Sequence, residues 1–386
     1  MSVVRRPLVA AAAVVAACDA YLLVLLAAAA RRRAAYPPPA PPVSFIVLVP
    51  AHDEEHTLPT LLRSLDRADS REAVRVVVIA DNCSDRTAEV ARLHGAEALE
   101  RQELDRPGKG PALAWALGEL GSLDAPVVLV DADCEVSPNL FTALAAHAQA
   151  GVRVAQVEYV VANSDESPAA ALRAAAFSLV NGVRPAGRDA LGLSAGLLGT
   201  GMMFTPDVLR RVPWSDFGLA EDAEYGLHLA AAGERVVFVG EARVSSPMPI
   251  TAAAARSQEM RWEAGKVAAA RTWTPRLLAA AARRRDPRLA ATALEVLIPP
   301  QALLALAHVS IAALAALARV PSAIRLAFAG VVAQAAYVAG GLLLARASRQ
   351  MWLALLHAPR LVVSKAVLAM RIAFGGGPSD WERTER

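Results

Sequence analysis

The amino-acid sequence predicts an α/β domain with a parallel sheet, flanked by helices that cross a membrane. Three observations predict this architecture. A long apolar run occupies residues 8–30, near the N-terminus. In the middle of the chain, short and continuously apolar segments alternate with segments of helical period. The chain then becomes strongly apolar again over residues 293–345.

The composition of the 386-residue chain excludes several classes of protein. Its formal net charge of +3 is too small for a broad nucleic-acid-binding field, so we expect no nucleic-acid partner. The three cysteines have neither metal-ligand spacing nor an even count. They therefore predict a reducing compartment and no disulfide framework.

Residues 1–35 are predicted to form an N-terminal transmembrane anchor. The apolar run at 8–30 has about the 20 residues that a spanning helix needs. Two arginines precede it and small residues end it, which is also the pattern of a cleaved signal peptide. The run is long for a signal core, however, and arginines follow at once at 31–33. Positive charge on that flank favours an anchor whose C-terminal end is cytoplasmic.

Residues 43–270 are predicted to form one α/β domain after a stiff, proline-rich linker at 36–42. The predicted strands are 43–50, 73–80 and 126–133, and the predicted helices are 54–68, 84–95 and 109–121. Continuous apolar strands between helices indicate a parallel sheet covered on both faces. Such sheets bind ligands beyond the carboxyl ends of their strands, where this chain places PAHDEE, ADNCSD and DADC.

Two common nucleotide-binding motifs do not match. No G-x-G-x-x-G follows the first predicted strand, which disfavours a dinucleotide-binding fold. The segment RPGKGPAL at 106–113 has neither the length nor the hydroxyl of a P-loop.

Two further polar groups follow in the second half of the domain. Glu221 and Asp222 open a helical pattern, a place where acids complement the helix dipole without any chemical role. Gln258 and Trp262 are four residues apart with Arg261 beside them, so they share a face of a predicted helix. Alone, that pattern equally fits an interfacial helix with an anchoring tryptophan.

The ordered set of these pieces resembles the membrane-bound family 2 glycosyltransferases, the class that contains bacterial cellulose and hyaluronan synthases. The matching pieces are VPAHDEE, VVVIADNCSDRTAEVA, DADC, AEDAEYGL and QEMRW. The resemblance implies a Rossmann-like GT-A fold and inverting transfer of a sugar from a nucleotide diphosphate, UDP by analogy. It implies a saccharide or lipid-linked acceptor and a site at a membrane surface.

The resemblance also implies roles for individual residues. The predicted strand 126–133 sends Asp131 and Asp133 to one side. Asp133 would coordinate Mg²⁺ or Mn²⁺ directly, and Asp131 would lie toward the ribose and the water shell of the metal. Asp222 would be the general base, with Glu221 as its orienting neighbour. The other implied donor-binding residues are Ala51, His52, Glu54, Asp81, Lys109, Gln258, Arg261 and Trp262.

These binding residues divide by the part of the substrates that they would meet. Arg261 and Gln258 would hold the diphosphate, and Trp262 would form part of the floor of the acceptor pocket. Asp81 would lie near the base, and Ala51, His52 and Glu54, which follow the first predicted strand, would surround the nucleotide. For Lys109, a solvated loop position is an equal alternative to a nucleotide contact.

Two other segments of the domain are less specific. GLLGTGMMF at 196–204 predicts either close backbone approach beside the acceptor or a plain turn. Asn181, Arg184 and Arg188 lie on a helical stretch and are predicted to be solvated, with a position facing the acceptor as the alternative.

The remaining segments are predicted to be membrane-associated. Residues 271–299 are expected to form interfacial amphipathic helices, and residues 300–346 two transmembrane helices that begin after a break at Pro299-Pro300. Residues 347–386 are predicted as an interfacial helix, too charged for a comfortable span, and a cytoplasmic tail ending in WERTER. One span before the domain and two after it put the tail on the catalytic side of the inner cell membrane.

Three spans are few for a self-contained polymer channel. The sequence therefore predicts either a lipid-linked acceptor, or export through another subunit or a homo-oligomer. Two other classes are alternatives: a sugar nucleotidyltransferase and a non-catalytic nucleotide-sugar-binding membrane subunit. The first would have a glycine- and arginine-rich phosphate loop near the first strand, and the segment VPAHDEEHTLP of this chain does not match it. The second has no use for the Glu221–Asp222 pair.

Overall fold

A computed structural model of the protein describes residues 2–32, 43–215, 218, 220–248 and 252–373. The proline-rich linker at 36–42 and the WERTER tail lie outside these residues, so both remain predictions.

Within the described residues, strands combine into one sheet of eight. They are β1 Phe45–Ala51, β2 Val74–Asp81, β3 Glu97–Arg101, β4 Val127–Leu129, β5 Glu135–Val136, β6 Val154–Val161, β7 Met202–Phe204 and β8 Val236–Ser246. The strand order across the sheet is β3-β2-β1-β4-β7-β6-β8-β5.

The helices precede, interrupt and follow these strands. They are α1 Ser2–Arg31, α2 Leu58–Asp66, α3 Thr87–Leu93, α4 Lys109–Leu120, α5 Leu140–Gln149, α6 Pro168–Phe177, α7 Arg184–Ala190, α8 Pro206–Arg211, α9 Glu221–Ala231, α10 Ala252–Arg284, α11 Pro287–Val296, α12 Gln301–Leu317, α13 Pro321–Leu344, α14 Arg349–Ala354 and α15 Ala358–Ala373. A π-helical segment, Ser178–Val183, joins α6 to α7.

The predicted α/β class is confirmed, with buried strands covered by helices. β1 is buried along almost its whole length, as its unbroken apolar sequence predicts. The leucines of α2 recur at helical spacing and are all buried in the core beside Phe45. Phe45 also stacks on Phe141 of α5, with ring centroids 5.7 Å apart.

The sheet differs from the predicted all-parallel arrangement in its second half. β3, β2, β1 and β4 run parallel to one another, but β7 runs antiparallel to both β4 and β6. β7 has only three residues, too few to show a strand period. β3 was missed for a related reason, since this half-exposed edge strand contains polar residues instead of an apolar run.

The described residues divide into two compact units. One contains the described parts of Met1–Arg32 and Leu294–Gly377 together with Ser164–Leu191. The other contains the sheet, over the described parts of Arg33–Asn163 and Gly192–Ala293. Ser164–Leu191 lies inside the predicted domain range 43–270 but belongs to the helical unit.

Three helical stretches of the described chain are long and apolar enough to cross a membrane: Arg5–Arg31, Pro321–Leu344 and Arg349–Arg371. The pair α11 and α12 would make a fourth if it is counted as one span, with a bend of 76°. α12 begins directly after Pro300, but its 17 residues are short for a span by themselves. Arg349–Arg371, which was predicted to be too charged for a span, also meets the length and composition criteria.

The helical unit buries a polar cluster whose arginines were predicted to be solvated. Arg188 Nη1 donates to Tyr21 Oη at 2.7 Å and to Glu295 Oε2 at 3.0 Å. Arg184 Nε donates to Glu295 Oε1 at 3.0 Å. Asn181 and Arg188 are buried and Arg184 is partly buried, so the predicted solvation of this stretch was wrong. A helical period alone did not reveal which face was covered.

Candidate active site

Lys109 lies at the centre of a charged cluster beyond the carboxyl ends of the strands. It is the first residue of α4, and its Nζ donates to Asp131 Oδ1 and to the Gly199 carbonyl, both at 2.5 Å. Its side chain is only 19% exposed. The alternative of a solvated loop lysine is therefore wrong, and the ammonium group belongs to this charged cluster.

The loop before Lys109 is fixed by an ion pair between β2 and β3. The parallel register places Asp81 beside Arg101, and Arg101 Nη1 donates to Asp81 Oδ1 at 2.5 Å. The other Asp81 oxygen accepts from the Gly108 backbone N at 3.3 Å. Arg101 Nη2 also donates to the Arg106 carbonyl at 2.8 Å. These bonds fix the backbone immediately before Lys109.

Asp81, which the resemblance places near the base, is largely buried in the structure. Its side chain is 7% exposed, and that of Arg101 is 3% exposed. Asn82 Nδ2 donates to Asp81 Oδ1 as well, at 3.1 Å. Sequence reasoning missed Arg101 because it missed β3, and the register with β2 was the signal that could have identified it.

Asp131 and Asp133 follow β4 and come close together. Their carboxylate oxygens and the Cys134 Sγ lie within 4.8 Å of one another. Burial raises the pKa of the Cys134 thiol, so this sulfur stays protonated and is a poor metal ligand. The two carboxylates match the oxygen donors that Mg²⁺ and Mn²⁺ prefer, so the residues present fit such an ion.

Glu221 and Asp222 reach the same cluster from the start of α9. Gly199, whose carbonyl accepts from Lys109, has a φ of +92°, and a Cβ built there would lie 3.1 Å from Asp222 Oδ2. Glycine therefore permits the close approach of backbone and carboxylate that the sequence offered as one alternative for this segment. The motif that was read as a helix cap thus also faces Lys109.

Burial controls the ionisation of this acid pair. It raises the pKa of Asp222, while the positive charge of Lys109 acts to lower it. For Glu221, burial and the negative charge of Asp222 raise the pKa to about 7, against the opposing effect of Lys109. Two acids beside one lysine in a buried place therefore hold their protons more tightly than in water.

Arg261 lies close to the acid pair from the side of α10. Burial lowers the pKa of Arg261, and the negative charges of Glu221 and Asp222 oppose that effect. Arginine stays charged under such shifts, so the cluster contains a second cation. Gln258 and Trp262 are partly buried on the same helix, adjacent to Arg261 by helical spacing.

The residues from the first strand form a second group at the ends of β1 and β2. Ala51 is buried at the end of β1, and His52 Nδ1 lies 2.7 Å from the Asp81 carbonyl, to which it donates. The Glu54 side chain accepts a hydrogen bond from the Thr57 hydroxyl. Its backbone N donates to Thr87 Oγ1 at 2.8 Å, which ties the loop after β1 to the segment after β2.

The structure thus brings most predicted residues to one end of the sheet. Lys109, Asp131, Glu221, Asp222 and Arg261 form the charged cluster, with Asp133 beside Asp131. Through Asp81 and Gly108, the group of Ala51, His52 and Glu54 is linked to the loop that precedes Lys109. Carboxylates, cations and a fitting divalent-metal site in one place suit the binding and displacement of a phosphate-bearing group.

Comparisons with known proteins agree with this geometry. The family described as "Glycosyltransferase like family 2" matches residues 41–265. A curated relative, 4,4'-diaponeurosporenoate glycosyltransferase of Staphylococcus haemolyticus, is 36% identical over 97 residues. That match covers 24% of this chain and 25% of the relative, so the chain spans about a quarter of the length of that protein.

Among solved structures, the chain is similar to the mannosyltransferase PcManGT from Pyrobaculum calidifontis, described in complex with GDP-Man and Mn²⁺. The TM-score is 0.56 at 17% identity, with 95% of this chain and 99% of the other covered. At that identity the likeness shows the fold alone, which is the predicted GT-A fold together with apolar helices.

Proposed function

Because the chain belongs to the glycosyltransferase-like family 2, we propose that it is a membrane-bound inverting glycosyltransferase. It would transfer a sugar from a nucleotide diphosphate to a growing polysaccharide or lipid-linked acceptor in cell-surface polysaccharide synthesis. The observation that carries this proposal is the convergence of Lys109, Asp131, Asp222 and Arg261 from separate elements.

Asp222 is the proposed general base. It would accept the proton of the acceptor hydroxyl while that oxygen bonds to the anomeric carbon, and the bond from this carbon to the diphosphate would break on the opposite face. The electron pair of the broken bond would leave with the nucleoside diphosphate. A raised pKa makes Asp222 a better proton acceptor than a solvated carboxylate. Glu221 would orient it.

The donor would lie between the two cations and the acids that follow β4. Lys109 and Arg261, with Gln258, would hold the diphosphate, since these side chains supply donors and positive charge. Asp133 and Asp131 would hold Mg²⁺ or Mn²⁺, which when bound neutralises the charge that develops on the leaving group. Trp262 would lie against the acceptor sugar, and Ala51, His52 and Glu54 would surround the nucleoside.

The base of the nucleotide donor is not restricted to uracil by the residues of the site. UDP was expected by analogy alone, and Asp81, the residue expected near the base, is largely buried and hydrogen-bonded to Arg101, Asn82 and the Gly108 backbone. The similar mannosyltransferase is described with GDP-Man. GDP-sugars therefore belong in the test beside UDP-sugars.

A multi-pass location in the inner membrane, with the catalytic domain cytoplasmic, is part of the proposal. The helices long and apolar enough to cross a membrane support it, as do the arginines at the C-terminal end of the first apolar run. So few spans favour a lipid-linked acceptor, or an export partner supplied by another subunit or a second copy.

The test is turnover of a donor panel by the full-length protein in membranes. UDP- and GDP-sugars are incubated with Mn²⁺ or Mg²⁺ and a lipid extract, and nucleoside diphosphate release and glycosylated product are measured. We expect one donor to be consumed in a metal-dependent manner, with an inverted linkage in the product. Retained anomeric configuration would contradict the inverting mechanism, and no turnover of any donor would contradict the substrate class.

A further inference from the structure

The C-terminal half of α10 and the start of α11 carry a concentrated positive charge that the proposed chemistry does not use. Residues 271–288 contain six arginines and one aspartate, a net charge of +5. The whole chain has a formal charge of +3, so all other residues together carry −2. The positive charge of this protein is therefore concentrated in one short segment. We call residues 271–288 the arginine segment.

The arginines of this segment are exposed and are not neutralised by acids. Arg271, Arg276, Arg283, Arg285 and Arg288 are all exposed and form no ion pair with any described residue. The sixth, Arg284, donates from Nη1 to the Ala231 carbonyl at the end of α9, at 2.7 Å. Arg284 thus binds the end of α9, while the other five arginines expose their charge.

The helix in this segment carries apolar residues on an exposed face as well as on its buried face. The buried face consists of Thr274, Leu277, Ala280 and Ala281, and Trp273 packs against His228 of α9 with ring centroids 4.3 Å apart. The opposite face is apolar as well. Its residues follow helical spacing and are all exposed: Pro275, Leu278, Ala279 and Ala282.

Arginines adjoin this exposed apolar stripe. Arg271 lies one turn before it on the same face, and Arg276 and Arg283 lie along one of its edges by helical spacing. Arg276 also lies over the Trp273 ring, 5.5 Å from its centroid. An apolar stripe with long basic side chains beside it suits a surface with an apolar interior and an anionic boundary, because arginine stems can lie along the apolar part while the guanidinium groups reach the charged layer.

We propose that the arginine segment binds the headgroups of anionic phospholipids. Guanidinium groups pair with phosphate oxygens, and the net charge of +5 complements a negatively charged leaflet. The chain continues directly into the bent pair α11 and α12, which meets the criteria for a membrane span. The inference rests on the proposed membrane location and adds the class of lipid that the protein selects.

The test compares lipids on the full-length protein in detergent, by native mass spectrometry during titration with phosphatidylglycerol or phosphatidylcholine. We expect the wild-type chain to bind phosphatidylglycerol more tightly, and the preference to weaken with rising salt. The variant R271Q/R276Q/R283Q should lose about fivefold of its phosphatidylglycerol affinity for each arginine, the equivalent of the ~1 kcal/mol that a basic side chain contributes near an anionic surface.

Matched variants separate this effect from general charge loss and from misfolding. R63Q/R67Q/R210Q removes three exposed arginines elsewhere on the sheet unit and should bind both lipids like the wild type. R271K/R276K/R283K keeps the charge and should retain most of the preference. Inorganic phosphate at the lipid concentration should not displace phosphatidylglycerol, since a free anion does not engage the apolar stripe.

Two results would overturn the inference: equal wild-type affinity for the two lipids, or equal phosphatidylglycerol affinity of the 271/276/283 and 63/67/210 variants. The measurement needs neither donor nor turnover, so either result would leave the proposed transferase activity standing. A protein that binds neither lipid would instead count against the membrane location.

Discussion

Asp222 is the residue on which the proposed chemistry depends most directly. Its carboxylate lies against Gly199 and near Lys109, so it is held in place by backbone and charge. Removal of a proton acceptor lowers turnover, whereas removal of a group that binds the nucleotide sugar lowers binding as well. Substitution of the acid by its amide separates them, because the shape is kept and only the capacity to accept a proton is lost.

We expect Asp222→Asn to abolish turnover, by at least about 10²-fold, the contribution typical of a general base. Donor binding, measured by calorimetry with a nucleoside diphosphate and Mn²⁺, should stay close to that of the wild type. Parallel loss of binding and turnover would show that Asp222 holds the donor and does not serve as the base.

Asp133 should give the opposite pattern. Because Asp133 and Asp131 bring oxygen donors together after β4, Asp133→Ala should weaken the metal dependence of nucleoside diphosphate binding. Titration of Mn²⁺ at fixed nucleotide measures this. A titration curve identical to that of the wild type would remove Asp133 from the metal site, whatever the variant does to turnover.

Glu221 makes the stability of the protein depend on pH. Its pKa of about 7 in the folded state lies above the ordinary value of 4.5. Between these values the folded protein binds more protons at this site than the unfolded chain, so stability falls as pH rises from about 4.5 to about 7. The cause is the burial of the Glu221 side chain, which favours the neutral carboxyl group over the charged carboxylate.

Glu221→Gln should therefore melt at nearly the wild-type temperature at pH 5 and at a higher temperature at pH 8. Thermal melting of the full-length protein in detergent, at several pH values, measures the difference. Asp207→Asn, at an exposed acid on α8, is the control and should show no such pH-dependent gain. A Glu221→Gln variant that gains nothing at pH 8 would contradict the raised pKa.

At the scale of elements, the segment between α7 and β7 positions the site through its glycines. Gly199 and Gly196 both have φ values in the range that disfavours side chains, +92° and +86°. A Cβ at Gly199 would meet Asp222, whereas a Cβ at Gly196 would have nothing within 4 Å. The two positions share backbone strain and differ in contact with the acid.

This contrast gives a matched pair of variants. Gly196→Ala and Gly199→Ala should each destabilise the fold by about 1–2 kcal/mol, through the unfavourable φ of a non-glycine residue. Only Gly199→Ala should also lower kcat, since its methyl group displaces Asp222. Thermal melting and steady-state turnover of both proteins measure the two effects. Equal loss of kcat in both variants would mean that the segment acts through its backbone alone.

The strands of the sheet differ in how well the sequence predicts them. β1 and β2 were predictable because both are continuously apolar, and the polar residues that follow them were placed correctly at the strand ends. β3 was not, because an edge strand with polar residues lacks that signal. Without β3 the partner of Asp81 could not be found, since a cross-strand register decides it.

The charged cluster was less predictable than the strands around it. The acid motifs gave Asp131, Asp133 and Asp222 by family resemblance, but no local pattern placed the Lys109 ammonium between Asp131 and Gly199. That contact joins residues 90 positions apart in the chain. Long-range contacts of this kind depend on the arrangement of the sheet, and sequence periodicity does not contain it.

At the scale of the whole molecule, the number of crossings decides on which side the C-terminus lies. The predicted topology has one span before the catalytic domain and two after it, which returns the chain to the catalytic side. Arg349–Arg371 also meets the criteria for a span, and so does the bent pair α11 and α12. If both cross together with α13, three spans follow the domain and the tail is on the opposite side.

We expect the two-span arrangement, so a reporter fused after residue 386 should be cytoplasmic. Green fluorescent protein should fluoresce there and alkaline phosphatase should be inactive, because the first folds in the cytoplasm and the second after export. The same pair of reporters fused after residue 346, at the end of α13, provides the control and should also report the cytoplasm. A periplasmic signal only at residue 386 would identify Arg349–Arg371 as a further crossing.

The path of the chain between β6 and β7 limits how the enzyme can be dissected. After β6 the chain leaves the sheet unit at Ser164 and returns at Gly192, and in between Leu179 and Val183 pack with Leu22 and Tyr337 of the helical unit. Trimming both ends to obtain a water-soluble fragment, residues 43–293, would remove the neighbours of these leucine and valine side chains. Their apolar surface would then be exposed in the middle of the fragment. A soluble catalytic fragment therefore requires an excision in the middle of the chain as well as at its ends.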